Sequence, residues 1–145
     1  MKSIFTLIVI IFIPSFVAAE NISELQKLFV GTYYQVSMNS NVTITLDSDL
    51  TYKAEYSACV GEMGKSSGTW SLSAPSKIEF NQVSGSGTWE KGFESMHIIE
   101  TKDESNNLIS LVPVSDLKDH IESIAEYDFS VYTYTKDRIE RLELF

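Results

Sequence analysis

Apolar and polar positions follow three different rhythms along this chain. Ile4 to Ile13 is apolar except for Thr6; it follows the single positive charge of Lys2 and leads through Val17-Ala18-Ala19 to Glu20. A basic start, an apolar run and small side chains before a cut after Ala19 predict a secretory signal peptide over residues 1–19. The run is shorter than the ~20 residues that span a bilayer, which argues against a membrane anchor. Residues 20–145 then form one domain. Its first segment sets Ile22, Leu25, Leu28 and Phe29 on one face with Glu24, Gln26 and Lys27 between them, the pattern of a short amphipathic helix over Ile22 to Val30. Gly31 ends that helix.

From Gly31 the period becomes two. Val42, Ile44 and Leu46 alternate with Thr43, Thr45 and Asp47, which predicts a half-buried strand. Leu50, Tyr52, Ala54, Tyr56 and Ala58 point inward in the next strand, after a turn at Asp47-Ser48-Asp49. Gly61 to Ser67 reads as a looser connection into a strand with Gly68, Trp70 and Leu72 inward, broken by Ala74-Pro75-Ser76. Lys77 to Val83 follows, with Ile78 and Phe80 inward, then a turn at Ser84 to Gly87 and a strand from Thr88 to Phe93. Met96 to Lys102 and Leu108 to Val114 form a hairpin. Phe129 to Thr135 and Arg138 to Leu144 form the last one, turned at Lys136-Asp137. Ahead of it, Ser115 can cap a helix running to Glu126, with Leu117, Ile121 and Ile124 on one stripe.

No strand-helix-strand rhythm occurs, which excludes the doubly wound nucleotide-binding folds. Unpaired edges on so long a sheet favour closure of Gly31 to Met38 against Arg138 to Leu144. The expected fold is all-β and mainly antiparallel: a meander barrel of about 8–10 strands with a short N-terminal helix and one helix before the last hairpin. Strands from Met96 onward are apolar on both faces, so the stripe of the second helix is expected to cover their outer side.

Composition narrows the chemistry. The 145 residues are 43% apolar with 3 Pro and 7 Gly, which excludes a disordered or collagen-like chain. Eleven basic against 20 acidic side chains leave a formal charge of −9, and loss of Lys2 with the leader makes it −10. Such a balance excludes a phosphate-tracking surface, hence nucleic acid as a partner. Cys59 is the only cysteine, so no internal disulfide forms, and it reads as a small apolar filler at a strand end. The sequons at Asn21 and Asn41 matter only in a host that glycosylates.

His97, His120 and Cys59 lack the spacing of a metal site or a nucleophile-base pair, and no Gly-x-Ser-x-Gly, phosphate-loop or His-Glu-x-x-His motif is present. The expectation is therefore no enzyme, no cofactor and no metal. His120, among Lys118, Asp119 and Glu122, is expected in solvent. Asp47 and Asp49 read as turn carboxylates.

A short helix followed by Gly31-Thr32-Tyr33 resembles the opening of the lipocalin-like (calycin) barrels, with Tyr33 in place of the family's tryptophan. Leu46-x-x-Asp49-x-x-Tyr52 followed by Gly68-Thr69-Trp70 is similar to small exported bacterial proteins of that kind. The resemblance covers about half of the chain beyond the leader; the family's Thr-Asp-Tyr signature has no counterpart. It implies an exported barrel, secreted or periplasmic, in which Arg138 or Arg141 packs across Tyr33.

Two functions compete at this level. Tyr52, Tyr56, Trp70, Phe80 and Trp89, inward and separated by Ala54, Ala58, Gly68 and Gly87, permit a modest pocket for a small apolar or amphipathic ligand; a filled barrel is equally compatible. Glu90, Glu94, Glu100, Asp103 and Glu104 instead offer an acidic face, as on an inhibitor or immunity protein that docks on a basic exported enzyme or toxin.

Overall fold

The computed structural model describes residues 24–102, 107–127 and 131–136. The predicted leader lies outside them. Eight strands close into one antiparallel up-and-down barrel: β1 (Gly31–Val36), β2 (Ser40–Leu46), β3 (Thr51–Ala58), β4 (Gly61–Ala74), β5 (Lys77–Gly87), β6 (Met96–Lys102), β7 (Asn107–Pro113) and β8 (Tyr134–Lys136). Helix α1 spans residues 24–29 and α2 spans Leu117–Tyr127, after a 3₁₀ turn at Val114–Asp116. The all-β antiparallel barrel expected from the alternation is the fold.

The alternation also sorts the core. Val42, Ile44 and Leu46 of β2, Tyr52 and Ala54 of β3 and Trp70 of β4 are buried, together with Tyr33, Ile78, Met96 and Leu111. Tyr33 ties the base of the barrel to α1, its hydroxyl donating to the Phe29 carbonyl at 2.8 Å. Lys136 Nζ, on the closing strand, donates to the Leu28 carbonyl at 3.1 Å, so the end of α1 is held by the β1-β8 seam.

Several expected boundaries move. The stretch Gly61 to Ser67 is no loose connection but the first half of β4, paired with β3 and β5. Its inward residues are Gly64 and Ser66, too small and polar to register as an apolar period, although both are buried. Likewise β5 continues through Ser84-Gly85-Ser86 to Gly87, and Thr88 to Phe93 is a series of turns rather than a strand. There Gly87 adopts φ 57°, where a side chain would collide with the Met63 carbonyl, and the Trp89 and Glu90 amides donate back to Ser86 and Gly87. The described residues therefore hold eight strands.

Closure is made by β8, which pairs Tyr33 with Lys136 and Tyr34 with Thr135, so Lys136 is a strand residue and not a turn. The expected strand Arg138 to Leu144 and the packing of Arg138 or Arg141 on Tyr33 lie outside the described residues.

Helix α2 lies against β7. Val112, one residue out of phase with inward Leu111, is fully buried as well, so β7 is covered on both faces as its sequence requires. The buried face of α2 differs from the expected one. Ile121 and Ile124 are 59% and 42% exposed, whereas His120 is 7% exposed. The 3₁₀ entry rotates the helix relative to a start capped at Ser115; Pro113 occupies the cap position and Ser115 makes no capping bond. Two further residues depart from expectation. Leu50 is exposed with φ 65°, the left-handed residue of the β2-β3 turn rather than an inward strand residue. Cys59 is exposed in the β3-β4 turn rather than filling the core; its amide donates to the Asn39 carbonyl at 3.1 Å and extends the β2-β3 pairing by one residue.

Candidate ligand-binding cleft at the barrel mouth

Inside the barrel the aromatic residues form one continuous cluster. Tyr52 lies 4.7 Å from Phe80 and 5.3 Å from Phe93 between ring centroids, Phe80 meets Phe93 edge-on at 4.9 Å, and Phe93 meets Trp89 at 5.1 Å. Tyr56 adjoins Trp89 at 6.2 Å. Offset and edge-to-face pairs of this kind contribute ~0.5–1.5 kcal/mol each beyond their buried area. Four of the five residues expected to contact a ligand are thus brought together through Phe93. Trp70, the fifth, is buried deeper and donates its indole N–H to the Asp47 carbonyl at 3.1 Å, which makes it a brace for the β2-β3 turn.

A polar chain runs through the same interior. Ser66 Oγ donates to Gln82 Oε1 at 3.0 Å, so the Tyr52 hydroxyl, 2.7 Å from Ser66, is the donor to it; Gln82 Nε2 donates to the Trp89 carbonyl at 2.9 Å. Every link has a donor and an acceptor, which is what a buried polar group needs to avoid a desolvation penalty. Burial pushes the Tyr52 hydroxyl above its ordinary pKa, and the bond with Ser66 partly opposes the shift. The lumen around Tyr52 is accordingly occupied by rings and by this chain.

Open space lies at the end of the barrel away from α1. The β5-β6 seam has only two residue pairs, Lys77 with His97 and Ile78 with Met96; β6 begins at Met96, so β5 runs on to Gly87 with no β6 beside it and residues 88–95 span that stretch. A cleft of about 220 Å³ is lined there by Trp89, Phe93, Glu94, Met96, Pro113 and Tyr134. Trp89, Phe93 and Met96 give it carbon-rich walls, while polar atoms make up about half of its exposed lining. Its rim is anionic: Ser115 Oγ lies 2.7 Å from Glu94 Oε1 and 3.0 Å from Asp116 Oδ1, so two carboxylates converge on one hydroxyl. No Lys or Arg among the described residues pairs with either carboxylate. Burial pushes the Tyr134 hydroxyl up to about 12, and the negative charges of Asp116 and Glu94 add to the shift.

A larger groove of about 340 Å³ crosses the outer face of β3, β4 and β5, lined by Lys53, Glu55, Lys65, Ser67, Ser84 and Ser86. Its charges answer one another: Lys65 is 2.7 Å from Glu62 and 4.0 Å from Glu55, and its pKa is raised chiefly by Glu62. The mouth cleft combines aromatic walls with unanswered charge and is the better candidate.

Of the expected acidic face, Glu90 and Glu94 lie on the 88–95 link, Glu100 lies on β6 and is exposed, and Asp103 and Glu104 fall outside the described residues. Asp49 serves its turn, accepting from the Thr51 hydroxyl and amide at 2.6 and 3.0 Å, which lowers its pKa. Among the described residues no group of three or more His, Cys, Asp or Glu side chains could hold a metal ion. None of the described helices is long and apolar enough to cross a membrane. Of the lining residues, sequence reasoning missed Met96, Pro113 and Tyr134, and it missed Ser115 and Asp116 beside the cleft. Each sits at the end of an element, where periodicity carries no signal.

No family model matches this chain, and no curated protein or solved structure matches it significantly.

Proposed function

We propose that the protein is an exported, non-enzymatic barrel of lipocalin-like type that binds a small amphipathic molecule at its mouth. The observation that carries the reading is the cleft itself: about 220 Å³ of space over Trp89, Phe93, Met96, Pro113 and Tyr134, where apolar side chains share the lining with polar atoms. Apolar walls with a few convergent polar groups are the usual constitution of a small-molecule site. The volume is below the ~300–1,000 Å³ typical of drug-sized ligands, so the ligand is a fragment-sized body. Export is supported by the leader-like residues 1–19. Titrating benzyl alcohol into the purified, isotope-labelled chain should produce saturable NMR shifts centred on Trp89 and Tyr134 and leave the Trp70 indole unmoved. No saturable shift in that region, or equal shifts throughout the core, would refute the reading.

The docking alternative has one observation in its favour: Glu90, Glu94 and Glu100 are exposed and make no ion pair with the described cations. A basic exported partner retained at low salt and lost at ~0.5 M salt, where screening is nearly complete, would support it. Retention unchanged by Glu90→Gln together with Glu100→Gln would count against it.

A further inference from the structure

The mouth cleft differs from a generic apolar pocket in its electrostatics. Its lining includes three π-systems, Trp89, Phe93 and Tyr134, together with Glu94, and Asp116 is joined to Glu94 beside the cleft through Ser115; neither carboxylate has a countercharge among the described residues. One Ser115 hydroxyl supplies a single proton between two carboxylates, so at least one of them keeps most of its acceptor capacity unused. An aromatic face attracts a cation through its quadrupole, most strongly when the cation is desolvated, and it offers no such gain to an anion. Two nearby carboxylates add a Coulomb attraction of the same sign. They repel an anionic headgroup by the same amount.

We infer that the ligand of this cleft is a small organic cation, an ammonium-headed molecule whose charged head lies between Glu94 and Asp116 while its carbon groups rest on Trp89, Phe93 and Tyr134. The inference rests on the reading of the cleft as a ligand site and adds the ligand's charge. The elevated Tyr134 hydroxyl pKa agrees with it, since the same carboxylates that would hold the cation resist formation of a tyrosinate beside them. Metal cations fit less well. Among the described residues no three carboxylate, thiol or imidazole side chains converge on one point, and one pair of carboxylates supplies fewer oxygen ligands than a hard cation requires.

Choline and its uncharged isostere 3,3-dimethylbutan-1-ol separate charge from shape, because they differ only in N⁺ against C. In low-salt buffer, calorimetry and Trp fluorescence on the purified chain should show choline binding at least ten-fold more tightly than the alcohol. Glu94→Gln combined with Asp116→Asn, with folding checked by near-ultraviolet circular dichroism, should bring the two affinities to within about two-fold. Trp89→Leu keeps an apolar wall but removes a π face, and it should weaken choline more than the alcohol. Saturating choline should also lower the Tyr134 hydroxyl pKa, read by tyrosinate absorbance. Equal binding of the two probes would overturn the cation inference and leave the cleft as a ligand site. Failure of both probes and of benzyl alcohol to bind would overturn the site as well.

Discussion

At the scale of single residues, this barrel is held by side chains whose surroundings are set by one or two atoms. Leu50 takes φ 65° so that its amide can reach the Asp47 carbonyl at 3.1 Å while its own carbonyl accepts from Trp70. A branched side chain in the left-handed region costs of order 1 kcal/mol. Its side chain is exposed, so Leu50→Asn should raise stability by about 1 kcal/mol in urea unfolding; a loss of stability would show that Leu50 packing outweighs the strain. The interior chain from Tyr52 to Trp89 makes a graded prediction. Ser66→Ala strands both the Tyr52 hydroxyl and Gln82 Oε1, and should cost ~1–3 kcal/mol, whereas Tyr52→Phe empties only one acceptor position on Ser66 and should cost less. Thermal melts of the two variants check the order. Neither bond could be foreseen from the alternation, which marks Ser66 as inward only once the extent of β4 is known.

At the scale of elements, legibility depended on side-chain size. Strands whose inward residues are large, β2 with Val42, Ile44 and Leu46 and β6 from Met96, were readable to within a residue. The β4-β5 hairpin was not, because its upper half turns Gly64, Ser66, Gly85 and Gly87 toward the inside, and a small-residue period looks like a turn. The reason for those glycines is close approach: β-carbons on Gly64, Gly85 and Gly87 would crowd the Ser86, Trp89 and Met63 carbonyl oxygens, and Gly68 of the same hairpin is alike. A β-carbon on Gly68 would meet the Asn81 carbonyl oxygen at the bulge between Ser67 and Gly68, and that oxygen is fixed by the backbone. Gly68→Ala should therefore destabilise by ~2 kcal/mol or more, measured by chemical denaturation.

Helix α2 failed in a different way. Its apolar stripe is real in the sequence, but the 3₁₀ entry after Pro113 sets the phase, and it buries His120 in place of Ile121. His120 Nδ1 has no hydrogen-bond partner, and burial alone depresses the imidazole pKa below 6.5. A depressed folded-state pKa contributes stability that is present above the unfolded value and lost as pH falls from 6.5 through the folded value. Stability should thus decline on acidification through that window, and His120→Leu should flatten the decline while raising stability at pH 7 by about 1 kcal/mol, as expected for removing an orphaned buried acceptor. An unchanged acid limb in the variant would exclude His120 as its source.

At the scale of the whole molecule, the described residues close the barrel through short seams: two residue pairs join β5 to β6, two join β7 to β8 and two join β8 to β1. Strands β2 to β4 pair over their full lengths, so the molecule has a strong half and a half where a gap at the mouth is tolerated. Tyr134 stands where that gap meets the closing seam, pairing with Leu111 of β7 while its ring lines the cleft. Its hydroxyl therefore reports on closure and on the electrostatics of the site together. With its pKa raised from 10 to about 12 in the folded state, the neutral phenol contributes stability that is complete below pH 10 and is lost as pH rises from 10 to about 12. Above pH 10 the unfolded chain ionises first, so unfolding becomes easier. Tyr134→Phe should remove this part of the alkaline loss, leaving the smaller loss due to buried Tyr52, whose pKa is also raised. Neutralising the rim with Glu94→Gln and Asp116→Asn should lower the Tyr134 pKa toward 10 without abolishing the shift, because burial is its larger cause. Tyrosinate absorbance followed alongside denaturation from pH 9 to about 12.5 measures both effects. If the Tyr134→Phe variant lost stability with the same slope as the parent, the hydroxyl would not be the group that links the mouth to the closing seam.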